Sequence, residues 1–594
     1  MFIQKRYIFV YVILLFLSVL LVACDDKKAN ESSEGEDAQE ENNIPKEPIP
    51  GGSITGALYS APAGMFNPIF QDDPYEANIL SFTHESLVSQ NKSMEYVPKL
   101  AKSWDLNEEQ TKLTLHLQEG VKWHDGEEFT ANDVVFTYQA IADPDYINAG
   151  GIRTAFVKPL LGYEDYVNGE TDEFQGVIAE DDYTVTFTFA EPNINPLYFA
   201  SFPIIPEHIF KDIPIPDMPS AEASIYPEKV IGTGPFKFVR MVEGEEYTLE
   251  RHDDYWQGTP YLEQIIWKVV AKPVITSLLE NGEIDFIGDP DGITPDDYES
   301  VTKLENMSII EQPDFGYQLL GFKLHHQTKE DVENGVLNPD NWQPNKKLSD
   351  PKVRQAIAYG INREKLIKEI LNGHGEILNS PIAKQFWAFD DSVTESYPFA
   401  PEKAKDILEG LGYVDIDDDG FREDPDGDNW VLNFDYPTGN KIREKTAPLI
   451  VEMLEEIGIK VKLREPKEMF TLIQELTNDN NNLDLHLLGW NLPSTDPDPS
   501  SLWETTASYN FSRWNNPESD ELLDQARQTP EAFKQEYRAD MYRKWQKLYS
   551  EDLPAFILYA QNSLWAYNNR LQGVQPLPFS MYNNTHLWWV SEMK

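Results

Sequence analysis

Cysteine is nearly absent: Cys24 stands alone in 594 residues. An intrachain disulfide is therefore excluded, and so is a Cys-rich zinc or iron–sulfur site. Basic residues are scarce too, with 49 Lys and Arg against 101 Asp and Glu and a formal charge of −52. That balance repels a phosphate backbone and argues against nucleic-acid binding. After residue 23 no stretch has about 18 uncharged apolar residues in succession, so nothing later is expected to span a bilayer. There is no G-x-S-x-G elbow, no H-E-x-x-H and no Walker loop, and no enzyme is expected. A carboxylate pair for glycoside hydrolysis is defined by a separation of about 5–10 Å, which sequence does not display. What is present is an ordinary globular composition, 41% hydrophobic and 25% charged, in a length that suits about four domains or fewer large ones.

Lys5 and Arg6 precede an apolar run of 17 residues, Tyr7 to Ala23, interrupted only by Ser18. As a helix it would extend about 25 Å, slightly short of a ~30 Å hydrocarbon core, and its layout is that of a secretory signal. Leu21-Val22-Ala23-Cys24 resembles the lipobox of bacterial lipoproteins, which implies cleavage after residue 23 and acylation of Cys24. Residues 24–50 would then be the acylated cysteine and a tether. From Asp25 to Pro50 nine acids accompany three lysines and almost no large apolar side chain, too little to offset the entropy of ordering.

Regular patterning begins at Ser53. Leu113–Leu117 and Tyr183–Phe189 alternate with period two and read as strands, as do Ile557–Tyr559, Leu564–Tyr567 and Trp430–Tyr436. Asp350-Pro351 opens a helix whose apolar face runs from Val353 through Ile357, Ile361, Leu366 and Ile370 towards Gly373. Pro401–Leu411 and Pro530–Tyr549 read as further helices, so the class is mixed α/β. Five prolines between Pro206 and Pro227 mark a connecting segment.

Ala101 to Ala140 reads as a strand, a turn at Glu119-Gly120, a second turn at Asp125-Gly126 and a helix capped near Thr130 or Asn132, with His124 as a turn residue. Within it, Leu113-x-Leu-x-Leu-Gln-x-Gly-Val-x-Trp-His-Asp-Gly126 followed by Thr130-Ala-x-Asp-Val-x-Phe136 resembles the hallmark of the peptide-binding family of extracellular solute-binding proteins. Gln118 departs from the family's usual Lys or Arg. Gly232-Thr-Gly-Pro235, Arg251-His-Asp-Asp-Tyr-Trp256, Gly282-Glu-Ile-Asp285, Val353-Arg-Gln-Ala-Ile-Ala-Tyr-Gly-Ile-Asn-Arg363 and Gly489-Trp490 with Asp496-Pro-Asp498-Pro resemble further family segments in the same order.

The resemblance implies a periplasmic-binding-protein-like, two-lobed (Venus flytrap) α/β fold with an extra domain, three domains in all. Residues 51–97, 228–312 and 562–594 would form one ligand lobe, 98–227 the extra domain and 313–561 the other ligand lobe. It further implies a monomeric lipoprotein, anchored at Cys24 on the outer face of a Gram-positive-type cell membrane, that passes oligopeptides to ABC permease subunits. A same-fold protein for a nickel chelate, haem, an oligosaccharide or an opine is the alternative. The expected ligand residues are Gly489, Trp490, Asn491, Asp496, Asp498 and Trp514. Members that hold a peptide's amino terminus do so with an aspartate four residues before the loop proline, and here that position is Pro493. Either Asp496 or Asp498 takes its place, or the ligand is gripped by its main chain, or both aspartates cap turns. Trp490 and Trp514 are pocket walls or core.

No cofactor is expected, with one possible exception. Asp415, Asp417 and Asp419 with Gly420 and, eleven positions after the first, Asp426 resemble a calcium loop. Position 12 is Asp instead of Glu, and the strand pattern of Trp430–Tyr436 stands where a second helix would begin, so the other reading is a solvated acidic turn.

Overall fold

The computed structural model describes residues 47–479 and 482–592. Cys24, the signal and most of the tether lie outside them.

A twelve-stranded sheet organises the chain. It runs from Lys460–Leu463 through Val431–Asp435, Leu485–Trp490 and Tyr317–Phe322 to the long strand Ala555–Asn568. It continues through Phe286–Ile287, Ser53–Leu58, Gln264–Val269 and Glu246–Arg251 to Phe236–Val242. Ala555–Asn568 joins the two halves. Its first residues pair with Tyr317–Phe322 and its later ones with Met307–Pro313. The chain therefore crosses between the halves twice, at Asp314–Gly316 and within 560–563, side by side. The sequence suggested two strands here, Ile557–Tyr559 and Leu564–Tyr567; they are one strand of 14 residues, because the polar stretch Gln561-Asn562-Ser563 between them keeps extended pairing with 312–313 and 375.

The cores follow this division. One apolar cluster gathers residues from Phe315 to Ala560, a second from Ile69 to Met218, and two smaller ones combine residues 54–310 with 564–590. Met94 departs from its neighbours: it sits at the tip of the hairpin Val88–Pro98 and packs into the Phe315–Ala560 cluster. Each buried apolar side chain contributes roughly 1.5–3 kcal/mol, so that tip is a firm contact.

A four-stranded antiparallel sheet holds Lys112–Leu117 and Thr184–Thr188 at its centre, close to the expected strands. The helix Ala131–Ala142 starts where the sequence placed it: the Asn132 N–H donates to Thr130 Oγ1 and the Thr130 N–H to Asp133 Oδ2. His124 does more than turn the chain. The Gly232 N–H donates to its Nδ1 at 3.1 Å, its Nε2 lies 3.1 Å from the Gly234 carbonyl, and Lys237 Nζ donates to the His124 carbonyl. The His-Asp-Gly and Gly-Thr-Gly-Pro segments are thus fastened together. Gly232 has to be glycine, since a Cβ there would lie 1.8 Å from the Thr83 carbonyl oxygen.

Two helices differ from expectation. The apolar face from Val353 to Leu371 belongs to two helices, Pro351–Gly360 and Arg363–Ile370, because Asn362 takes an extended backbone and caps the second through the Lys365 N–H. The helix expected at Pro530–Tyr549 begins at Gln535, after a short turn at Glu531–Phe533, and continues to Asp552. Pro401–Gly410 and Val431–Asp435 lie as read, and the proline-rich 206–227 stretch folds into four short helical turns. Among the described residues no helix is long and apolar enough to cross a membrane.

Candidate functional site

The strand Leu485–Trp490 ends beside the first crossover. Gln318 faces Gly489 and Tyr317 faces Trp490 across the ladder. On its other edge Val431–Asp435 covers only Leu485 and His486. Main-chain groups of Leu487 to Trp490 that point away from Tyr317–Phe322 therefore have no strand partner among the described residues. The glycines here are set by close approach: a Cβ on Gly489 would fall 2.5 Å from Gln318 Nε2, and one on Gly316 2.8 Å from both the Trp490 carbonyl and Asn491 Oδ1.

Trp490 is half-buried, with Phe511 stacked at 6.0 Å between centroids and Tyr509 edge-on at 5.3 Å. Asn491 is exposed. Trp514 is elsewhere. It is 1% exposed, packs against Trp545 and Tyr549 and donates its indole N–H to Asp552. It is core and walls no cleft, because its polar edge finds a partner inside the lobe.

The proline-bearing loop after Asn491 spends both its carboxylates on the protein. Asp496 accepts two hydrogen bonds from Arg538 Nη2 at 2.7 and 2.9 Å. Asp498 accepts from the Ser500 N–H and hydroxyl at 3.0 and 2.8 Å, and burial holds its pKa above the ordinary carboxylate value. The loop is also held from across the cleft: Gln90 donates to the Ser494 carbonyl and Asn195 to the Thr495 carbonyl. These segments enclose a cavity of about 520 Å³ lined by Met94, Tyr96, Asn195, Trp387, Asp496 and Arg538.

A second cavity of about 520 Å³ lies at the crossovers. Asp314 and Gln561–Leu564 line it together with Asp291 and Asp296 on one side and His374, Lys441 and Lys445 on the other. Burial raises the pKa of Asp314 and pushes that of nearby Asp289 up to about 6.

The acidic loop divides the expected calcium set. Asp415, Asp417 and Asp419 have carboxylate oxygens within 4.8 Å of one another and are exposed. Asp426 is not in that group: its N–H donates to Asp424 in a second turn. All three are already engaged, since Asp415 accepts from the Gly420 N–H, Asp417 from the Asp419 N–H and Asp419 from Lys460, the last two at 3.1 Å.

Sequence reasoning missed Gln90, Asn195 and Gln318, whose roles come from partners far along the chain. Arg538 could have been found. It lies on the apolar face that Met541, Tyr542, Trp545 and Tyr549 define, and a cation on such a face requires a counter-charge.

Two sheet halves joined by paired crossovers, with an open strand edge where they meet, define a two-lobed binding protein of the periplasmic-binding-protein type. Residues 95–512 match the model described as bacterial extracellular solute-binding proteins, family 5 Middle, and the chain belongs to that family. It is 27% identical over 596 residues to the oligopeptide-binding protein AppA of Bacillus subtilis (strain 168), covering 99% of both chains. It is 29% identical over 427 residues to the oligopeptide-binding protein OppA of Lactococcus lactis subsp. cremoris (strain SK11), covering 70% of this chain and 68% of that one. The structure of Bacillus subtilis AppA in complex with a nonapeptide aligns with a TM-score of 0.65 at 26% identity, over 92% of this chain and 100% of that one.

Proposed function

We propose that this chain is the substrate-binding component of an ABC importer, capturing oligopeptides outside the cell and delivering them to membrane permease subunits. The observation that carries the reading is the unpaired edge at Leu487–Trp490, set at the crossovers where two lobes can close on a guest. An extended peptide can add to such an edge through its main chain, with specificity left to pockets for its side chains. The names of the relatives that match over most of their length, oligopeptide-binding proteins, support the same ligand class.

The internal pairing of Asp496 and Asp498 favours a main-chain grip over an anchored amino terminus. The protein acts by capture and closure, with no catalytic step, and Cys24 carries the lipid that keeps it at the outer face of the cell membrane. The expected division into a lobe of 51–97, 228–312 and 562–594, an extra domain of 98–227 and a lobe of 313–561 is the arrangement that would move. Calorimetry with peptides of about four to ten residues, beside haem and nickel chelates, tests the ligand. Heat with peptides is the expected result, and heat with a chelate or haem but with no peptide overturns it.

A further inference from the structure

Because the chain passes between the two sheet halves only at Asp314–Gly316 and 560–563, a contact between residues before 314 and residues 317–559 is made across the gap between the lobes. The hairpin Val88–Pro98 makes such a contact. At its tip the Met94 N–H donates to the Asn91 carbonyl at 3.0 Å and the Asn91 N–H to the Glu95 carbonyl at 2.9 Å, a tight turn that closes on a left-handed residue. That residue is Met94, with φ 63°. Turns of this kind usually place glycine there, because a side chain is strained in the left-handed region. The strain is offset by what the side chain reaches. Lys92, Ser93 and Glu95 around it are exposed, yet Met94 is only 8% exposed, since the Phe315–Ala560 core takes it in.

The receiving face is fixed in advance. Pro493 and Pro497 stiffen the loop after Trp490, and Arg538 pins Asp496. Between them the Ser494 carbonyl accepts from Gln90 Nε2 at 3.2 Å and the Thr495 carbonyl from Asn195 Nδ2 at 3.3 Å. Gln90 Nε2 also lies 3.3 Å from the Met94 carbonyl, so one side chain ties the hairpin turn to the loop. The contact is nevertheless slight. It consists of one apolar side chain and two hydrogen bonds to carbonyls that water would satisfy nearly as well. Beside them the cavity of about 520 Å³ lies between Tyr96 and Asn195 on one side and Trp387 and Arg538 on the other. A permanent interface is packed as closely as a protein interior, whereas an unbranched, flexible thioether suits a contact that is made and broken.

We propose that this hairpin is a latch: Met94 enters the Phe315–Ala560 core as the lobes close, leaves it as they open, and so sets how long a guest is held. The latch forms part of the time without a guest, because its grip belongs to the protein. The inference rests on the reading of the chain as a binding protein that opens and closes, and it adds a closing contact independent of the ligand's chemistry.

Hydrogen peroxide is the probe, since it converts an accessible methionine to the sulfoxide, and mass spectrometry of digests of the full chain locates the product. Without peptide, Met94 should oxidise at a rate between those of the core methionines Met453 and Met541, 3% and 5% exposed, and that of the exposed Met469. A peptide that binds in calorimetry should slow Met94 further. A ligand-free rate equal to that of Met453 and Met541 means permanent packing, and one equal to that of Met469 means that Met94 is not held; either overturns the latch. Met94→Gly suits the left-handed turn and removes only the side chain. It should speed peptide dissociation about tenfold and leave association within about twofold, while Met94→Leu keeps most of the hold. Unchanged dissociation in the glycine variant overturns the latch and leaves the peptide reading standing. Failure of every peptide to bind overturns that reading alone, and the ligand-free oxidation rates still decide the latch.

Discussion

The two carboxylate oxygens of Asp496 lie 2.7 and 2.9 Å from Arg538 Nη2, and the same nitrogen reaches the Tyr542 hydroxyl at 3.1 Å. Arg538 and Tyr542 lie on the helix Gln535–Asp552, so this carboxylate is bound by the protein itself. Because Arg538 is nearly buried, removing its partner should be expensive: Asp496→Asn is expected to lower folding stability by about 3 kcal/mol, read by chemical denaturation. A peptide's affinity should change by less than about twofold on acetylation of its amino terminus, since an anchored ammonium would be worth far more. A tenfold loss on acetylation in the wild type would mean that another carboxylate takes the ammonium.

Gly489 and Trp490 separate packing from binding. A methyl at Gly489 meets the Gln318 carboxamide, which Arg443 holds in place. Gly489→Ala should therefore cost about 1–3 kcal/mol of stability by overpacking and weaken peptide binding as well. Trp490 is half-buried against Phe511 and Tyr509. Trp490→Ala should weaken ligand binding by about 1–3 kcal/mol in calorimetry. If thermal unfolding instead absorbs the whole effect and affinity is unchanged, the ring is core.

Cys24 is the one thiol of the chain, so the proposed lipid has a single point of attachment. Cys24→Ala should release the protein from cells into the medium, measured by fractionation and blotting. Retention of the variant in the membrane fraction would show that the apolar run Tyr7–Ala23 is the anchor and remains uncleaved.

Local signals in the sequence carried much of the architecture. Period-two alternation located Lys112–Leu117 and Thr184–Thr188, Asp350-Pro351 located a helix start, and of Thr130 and Asn132, the two expected caps, Thr130 is the one used. Each of these depends on residues within a few positions of one another. The join of Ile557–Tyr559 to Leu564–Tyr567 was illegible, because the polar residues between them stay extended through pairing with Met307–Pro313, some 250 residues away. The strand ending at Gly489-Trp490 was legible as a segment, but the fate of the aspartates in the loop after it was not. Their partners Arg538 and Ser500 are set by tertiary packing, and Asp496 and Asp498 would read the same whether they faced a ligand or the protein. Trp514 failed for the same reason: an indole buried on Asp552 has the same letter as one that walls a pocket.

The histidines that fasten the Gly232–Pro235 turn should make the protein acid-sensitive. Gly232 donates its N–H to His124 Nδ1, which requires that nitrogen to be unprotonated. Burial holds His124 well below its ordinary value of 6.5, with His252, His84 and Lys237 adding repulsion. His84 is pushed down to about 3 by burial, and His252 is lowered by burial and by Lys237, against an opposing pull from Asp254 and Glu85. The unfolded chain takes up these protons near pH 6.5 and the folded chain does not. Stability is therefore complete above that pH and declines below it, by about 1.4 kcal/mol per pH unit for each histidine kept neutral. Glu76 and Asp289, raised by burial to about 7 and about 6, bind protons first in the folded state and oppose the decline, as Asp314 and Asp498 do at lower pH, but burial also lowers His325, His486 and His586, so six histidines act together between pH 7 and pH 5. The melting temperature should fall steadily from pH 7 to pH 5, and His252→Asn should flatten the slope. A melting temperature that rises over this range would show that the carboxyls govern, and an unchanged slope in the variant would place the proton uptake elsewhere.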